Sequence, residues 1–131
     1  GRELYDAAVA LGQNQPDDEF MASWYANPNP VDENFLKREM AESKKIPPHA
    51  WRAITKGPAA FNLVPFIDEL KAPTLILWGD QDGFFARQAQ EALKKSIPQA
   101  QVIAYEKHGH NLQWEIPGKM AADIIKFFES N

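Results

Sequence analysis

The sequence predicts an α/β fold in two parts, an all-helical segment over residues 1–68 followed by a β-α-β-α unit over residues 69–131. The first part is polar, contains scattered aromatic side chains and is rich in proline, and it shows no strand pattern. The second part contains two short apolar runs, each followed by a loop and then by apolar residues at helical spacing. The chain between the runs is long enough for a crossover, so we expect the two strands to pair in parallel.

Short helices separated by helix-breaking residues are expected along the first part. An apolar spacing predicts a helix over residues 2–11. The side chains that can cap the following helices are Asp17 or Asp18, and Asp32. The breakers between helices are Asn27-Pro-Asn-Pro30 and Pro47-Pro48. The first part is therefore expected to form several short helices and no sheet.

The two apolar runs of the second part are residues 74–78 and 102–105. Thr74-Leu-Ile-Leu-Trp78 is continuous rather than alternating, which is typical of a strand buried on both faces of a parallel sheet. We expect one helix from about Ala86 to Ile97, a loop over residues 108–113, and a last helix from near Pro117. The apolar residues placed on one face of that last helix are Met120, Ile124, Phe127 and Phe128.

Composition and charge restrict the function of the chain. Its 131 residues are 44% hydrophobic and 24% charged, as in an ordinary soluble globular protein. A net charge of −4 argues against nucleic acid as a partner. The absence of cysteine excludes disulfide bonds, thiolate metal sites and a cysteine nucleophile. Because no apolar run approaches the ~18 residues of a membrane span and no secretory leader opens the sequence, we expect a cytoplasmic protein with no membrane partner.

Two polar residues follow the predicted strands at similar distances. Asp82 lies four residues beyond the end of the first run, and His110 follows the second run by about as much. Loops that leave the carboxyl ends of neighbouring parallel strands emerge on the same edge of the sheet, where ligands and reactive groups gather. We therefore expect Asp82 and His110 to lie within reach of each other. A carboxylate that orients an imidazole is the acid–base pair of nucleophilic catalysis.

The two loops resemble those of a known family. Pro73-Thr-Leu-Ile-Leu-Trp-Gly-Asp-Gln-Asp82 resembles the acid-bearing strand and loop of α/β-hydrolases, and His108-Gly-His110-Asn-Leu-Gln-Trp-Glu-Ile-Pro117 resembles their histidine loop. The resemblance covers residues 66–131, and the acid and histidine follow in the family's order. It implies the C-terminal part of an α/β-hydrolase sheet, with Asp82 as the catalytic acid, His110 as the catalytic base and no cofactor.

Rival residues stand next to both members of the pair. Asp80 could be the acid instead of Asp82, but the family position favours Asp82, and we expect Asp80 to serve the turn. His108 is the rival base. His108 and His49 could suggest a metal site, but no carboxylate stands at ligand spacing, so no metal is expected.

The helical part resembles, in its composition and its position in the chain, the cap that such enzymes insert before the acid strand. A cap would cover the catalytic edge and supply apolar walls for a small-molecule substrate. The residues expected to bind substrate are Trp24, Trp51, Phe84 and Trp114. For each of them the alternative that it only packs the protein interior stays open.

No recognisable nucleophile accompanies the pair. The family places it on a sharp turn such as Gly-x-Ser-x-Gly ahead of the cap. Only Ser23 and Ser43 precede Asp82, and neither has flanking glycines or a preceding strand. We therefore expect a fragment that lacks the nucleophile, is inactive alone, and either self-associates or pairs with a missing N-terminal half.

The resemblance implies a hydrolase of a small, partly apolar substrate, and an ester is the first expectation because serine is the commonest nucleophile of the superfamily. An aspartate nucleophile would point to epoxides or halides instead, and carbon–carbon bond hydrolysis is a third possibility. The alternative from another class is a non-catalytic binding or interaction module with a degenerate hydrolase fold.

Overall fold

The computed structural model describes residue 6, residues 16–60 and residues 62–131, and the chain divides into two compact units. The first unit contains the described residues up to Ala26 and from Val31 to Asn62. The second contains Asn27–Pro30 and Leu63–Asn131. The helix predicted over residues 2–11 lies outside the described residues except for Asp6.

Helices make up the regular structure that is described in the first unit. They are α1 (Asp18–Trp24), α2 (Glu33–Ser43) and α3 (Pro48–Ala60). The carboxylate of Asp17 accepts a hydrogen bond from the Phe20 N–H at 2.8 Å, and that of Asp32 accepts one from the Phe35 N–H at 2.7 Å. These bonds satisfy donors that have no partner within the first turn of a helix, which explains why α1 and α2 begin where they do.

The interior of the first unit is aromatic. The ring of Trp51 is buried, and it meets the rings of Trp24 and Phe20 edge to face, at centroid distances of 5.0 and 5.5 Å. Met21 is fully buried on α1, and Tyr25 is buried where the same helix ends. Such edge-to-face pairs add to the gain from burial, so this cluster joins α1 to α3.

The second unit alternates strands and helices. In chain order it contains a 3₁₀ helix (Val64–Glu69), β1 (Leu75–Gly79), α4 (Arg87–Ser96), β2 (Gln101–Tyr105), α5 (Leu112–Glu115) and α6 (Pro117–Glu129). The strands pair in parallel, with Leu75 opposite Gln101 and Gly79 opposite Tyr105. Because α4 is the crossover between them, the loops after β1 and β2 leave the same edge of the sheet.

Burial along β1 differs from the expectation of a strand covered on both faces. Residues 75–77 are only half-buried, whereas Trp78 and Gly79 are buried. The helix α6 packs against β1 and contributes the buried side chain of Phe127, but Phe128 is 73% exposed. Within the described residues the sheet has two strands, which is consistent with the incomplete burial of residues 75–77.

A polar contact ties β2 to α6. The hydroxyl of the buried Tyr105 donates to Oδ2 of Asp123 at 2.7 Å, and the Lys119 ammonium lies 5.1 Å from the centre of the Tyr105 ring. Burial and this hydrogen bond raise the pKa of Tyr105 well above its usual value. The bond is also the main cause that holds the pKa of Asp123 below its usual value.

Candidate active site

Asp82 lies in the loop that follows β1, and the loop is built to hold its carboxylate. Oδ1 accepts hydrogen bonds from the backbone N–H groups of Phe84 and Phe85, at 2.7 and 3.0 Å. The indole N–H of Trp78 donates to the Phe85 carbonyl at 2.9 Å and closes the loop on itself. The side chain of Asp82 is only 6% exposed. A buried carboxylate needs such donors, and these two hydrogen bonds offset the cost of its burial.

The structure brings His110 to the second oxygen of that carboxylate. Nδ1 of His110 lies 3.0 Å from Oδ2 of Asp82. Because an ionised carboxylate can only accept, Nδ1 is the donor in this contact, and in a neutral imidazole Nε2 is then the acceptor. The His110 side chain is 41% exposed, and its ring meets Phe84 edge to face at 4.9 Å. The pair thus combines a buried carboxylate with a partly exposed imidazole, which is the arrangement of an acid that orients a base.

Asp80 and His108, the alternative candidates for the acid and the base, form other hydrogen bonds. Oδ1 of Asp80 accepts a hydrogen bond from the Lys107 N–H at 2.6 Å, so Asp80 joins the acid loop to the histidine loop. Lys107 adopts a left-handed φ of 61°, a backbone conformation that residues other than glycine rarely adopt. Nδ1 of His108 lies 2.7 Å from the Glu106 carbonyl oxygen. His49 belongs to α3 in the other unit.

Two glycines lie where other segments approach the backbone closely: Gly79 faces the histidine loop, and Gly109 faces Pro28 and Glu115. A Cβ on Gly79 would lie 2.3 Å from the carbonyl oxygens of both His108 and Gly109. A Cβ on Gly109 would lie 2.5 Å from a ring carbon of Pro28 and 2.8 Å from Oε1 of Glu115. No side chain fits at either position, which gives a physical reason for glycine in the Trp-Gly and His-Gly-His stretches.

The histidine loop has contacts that the sequence did not indicate. Asn27-Pro-Asn-Pro30 appeared only as a helix breaker, yet these residues belong to the second unit and hydrogen-bond to the loop. The loop itself is shorter than predicted, since α5 begins at Leu112, and Glu115 on α5 points back to the Gly109 N–H at 2.9 Å. The only sequence feature that could have indicated these contacts is the alternation of two asparagines with two prolines, and both residue types are also ordinary in turns.

The four residues expected to bind substrate lie in different surroundings. Phe84 stands beside the His110 ring, and Trp114 is half-buried on α5. Trp24 and Trp51 belong to the aromatic cluster of the first unit. Contact with substrate stays a prediction for all four, and so does the role of residues 1–68 as a cap.

The serines that precede Asp82 do not sit on a strand-to-helix turn. Ser23 lies within α1, and Ser43 ends α2 with its hydroxyl 2.6 Å from that of Tyr25. The oxyanion hole of such a hydrolase is made of backbone donors beside the nucleophile. The structure therefore shows an imidazole oriented by a carboxylate, without a recognisable nucleophile among the residues described. In the same described part, no helix is both long and apolar enough to cross a membrane.

The chain is similar in sequence to curated hydrolases. The chain is 35% identical over 77 residues to mouse (Mus musculus) monoacylglycerol lipase ABHD6, which is 59% of this chain and 23% of the relative. It is 32% identical over 98 residues to the 2-hydroxy-6-oxononadienedioate/2-hydroxy-6-oxononatrienedioate hydrolase of Comamonas testosteroni, covering 75% of the chain and 30% of the relative. The chain thus spans less than a third of the length of these curated relatives.

Solved structures share the fold. The crystal structure of an E-2-(acetamidomethylene)succinate hydrolase superposes with a TM-score of 0.72 at 20% identity, over 98% of this chain and 53% of that one. The family model for the alpha/beta hydrolase fold matches residues 3–117. The predicted resemblance and the predicted fold class, the C-terminal part of this fold, are confirmed. The chain belongs to the alpha/beta hydrolase fold family.

Proposed function

We propose that this chain supplies the acid and the base of a hydrolase that cleaves a small, partly apolar ester through a nucleophile, a histidine and an acid. The observation that carries the proposal is the contact between Asp82 and His110, in which the acid is buried and the base is exposed. The name of the mouse relative, a monoacylglycerol lipase, supports an ester as the substrate.

The geometry assigns a role to each atom of the pair. Oδ2 of Asp82 accepts the Nδ1–H bond of His110, so Nε2 is free to take a proton from a nucleophilic hydroxyl. The hydroxyl oxygen then bonds to the ester carbonyl carbon, and the buried carboxylate stabilises the imidazolium. Nε2 returns the proton to the leaving alcohol. A water molecule that gives its proton to Nε2 hydrolyses the acyl-enzyme in the same manner.

The nucleophile and the backbone donors of the oxyanion hole are proposed to come from a segment that precedes these residues in a longer protein. Ser23 and Ser43 lie on helices and do not meet the geometric requirement of an exposed nucleophile on a sharp turn. On this proposal, the 131-residue chain hydrolyses no ester by itself.

The test is steady-state hydrolysis of short-chain nitrophenyl esters by the full-length protein. His110→Ala should lower kcat by about ten-thousandfold, because the base of the reaction is lost. His108→Ala serves as the matched variant and should keep most of the activity, since the His108 ring faces the Glu106 carbonyl. Undiminished ester hydrolysis in His110→Ala, or loss of activity only in His108→Ala, would refute the proposal.

A further inference from the structure

A short polar segment lies on the histidine loop within the second unit. We call Asn27–Pro30 the strap. The side-chain amide of Asn29 donates to the Lys107 carbonyl oxygen at 2.6 Å, and the amide of Asn111 donates to Oδ1 of Asn27 at 3.1 Å. These bonds join positions separated by about eighty residues in sequence, so the strap is a tertiary feature of the loop.

Glu115 connects the strap to the residue next to the base. One carboxylate oxygen, Oε1, accepts from the Gly109 N–H at 2.9 Å, and the other, Oε2, accepts from the Asn29 amide at 2.5 Å. The Pro28 ring occupies the space that a side chain on Gly109 would fill. A single carboxylate therefore bridges the strap and the backbone directly before His110. Hydrogen bonds to a charged acceptor are stronger than neutral ones, so this bridge is suited to hold the loop.

The bonded positions alternate along the loop. Lys107, Gly109 and Asn111 each form a hydrogen bond to the strap or to Glu115, and His110 stands between two of them. The His110 side chain is itself 41% exposed, so packing around the ring leaves it partly unrestrained. Its direction toward Asp82 depends on the backbone that carries it. A misplacement of about 1 Å at a reacting group can cost about a hundredfold in rate.

We propose that Asn29 and Glu115 are positioning residues, which hold the histidine loop so that His110 keeps its contact with Asp82. For its catalytic consequence this inference rests on the proposed function. Neither residue touches the His110 ring in the contacts described, and both act through the backbone of the loop.

The first experiment measures kcat and KM for a nitrophenyl ester with the full-length protein. Asn29→Ala and Glu115→Ala should each lower kcat about tenfold or more and leave KM nearly unchanged, because they misplace the base without altering substrate binding. The double variant should lose little more than the worse single variant, since both remove the same bridge. Glu91→Ala, an exposed carboxylate on α4, is the matched control and should keep the wild-type kcat.

The second experiment observes the loop without any substrate. The proton on Nδ1 of His110 should give a distinct downfield NMR signal in the wild-type protein, as expected for a proton held by a carboxylate. In Asn29→Ala and Glu115→Ala this signal should broaden or disappear while the thermal transition of the fold remains. If Glu115→Ala does not fold, Glu115→Gln replaces it. Glutamine keeps an acceptor for the Gly109 N–H but turns an amide toward Asn29, so the signal should weaken less.

The two experiments separate this inference from the proposed function. Folded variants with unchanged kcat and an unchanged Nδ1 proton signal would overturn the positioning role, and so would losses that multiply in the double variant. If His110→Ala retains ester hydrolysis, the proposed function fails. The NMR signal still decides whether Asn29 and Glu115 hold His110 against Asp82.

Discussion

At the scale of single residues, Asp80 and Asp82 lie two positions apart and have different hydrogen-bond partners. The Asp82 carboxylate accepts two backbone N–H groups and faces Nδ1 of His110, whereas Asp80 accepts one backbone N–H from Lys107. The sequence offered both as the acid, and only the family position favoured Asp82. The direct contact with His110 gives that preference a physical reason.

Replacing each aspartate by asparagine tests this difference. In Asp82→Asn the amide can still accept from the loop through Oδ1, but its N–H₂ group would face Nδ1 and favour the other tautomer of His110. We expect kcat to fall by about a thousandfold or more in the full-length protein. Asp80→Asn retains an acceptor for Lys107, so its kcat should change by less than about tenfold. Equal losses in the two variants would contradict the assignment of the acid.

The close approach of the loops leads to a prediction about Gly79. In Gly79→Ala the new methyl group would overlap the carbonyl oxygens of His108 and Gly109, which must move. The free energy of unfolding should fall by about 1–3 kcal/mol, and kcat should fall with it. Gly118→Ala is the matched control, since no described atom beyond its chain neighbours and the adjacent backbone of α6 lies within 4 Å of its Cβ. That helical substitution should be neutral or stabilise by up to about 1 kcal/mol in a denaturant titration. A Gly79→Ala variant as stable as the control would refute the steric argument.

At the scale of elements, local sequence decided most boundaries. Asp17 and Asp32 cap helices as expected, and both strands lie within one residue of their predicted runs. Caps and apolar spacing are signals that neighbouring residues carry by themselves. The short helix α5 was not predicted, because its four residues, Leu112–Glu115, are too few to show a period.

The contact between β2 and α6 leads to a prediction with a defined pH dependence. Tyr105→Phe removes the hydrogen bond to Asp123 and should lower Tm by a few degrees at neutral pH. Because the folded-state pKa of Asp123 is lowered, its stabilising contribution is present above the unfolded pKa and is lost as pH falls through the folded pKa. The difference in Tm between the wild type and Tyr105→Phe should therefore shrink below about pH 4.

Asp123→Asn provides the control for that measurement, because an amide oxygen can accept from Tyr105 but does not titrate in this range. Its Tm difference from a Tyr105→Phe, Asp123→Asn double variant should stay constant between pH 3 and pH 7. A difference between the wild type and Tyr105→Phe that grows as pH falls would show that another group controls the contact.

At the scale of the whole molecule, the described surface retains much apolar area. Large apolar side chains are exposed on the 3₁₀ helix, at Val64 and Phe66, and on α6, at Ile125 and Phe128. Within the described residues, β1 and β2 each bond to one neighbouring strand, so each has an open edge. Open strand edges and exposed large apolar side chains favour association with another chain or with further residues of the same protein.

We therefore predict that the 131-residue chain self-associates when it is produced alone. Light scattering coupled to size exclusion should show a mass that rises with protein concentration. A Phe128→Ser, Ile125→Ser variant should shift the distribution toward the monomer, because both side chains are exposed on α6. A monodisperse monomer with one cooperative thermal transition would contradict this prediction.

The first unit keeps its proposed role as a cap. Its aromatic cluster of Phe20, Trp24 and Trp51 explains how short helices separated by prolines hold together. Aromatic side chains were recognisable from the sequence, but a sequence does not distinguish a packed tryptophan from one that lines a binding site. Alternatives that concern packing can be decided only by contacts between distant residues.

The sequence by itself determined the fold class, the parallel β-α-β-α order, the helix caps and the identity of the Asp82 and His110 loops, because period, caps and motifs are local properties. Only the tertiary structure decided which oxygen of Asp82 meets His110, why Gly79 and Gly109 must lack side chains, and that Asn29 and Glu115 hydrogen-bond to the histidine loop. These features depend on hydrogen bonds and close approaches between segments far apart in the chain. Neither apolar periodicity nor residue spacing encodes such distances.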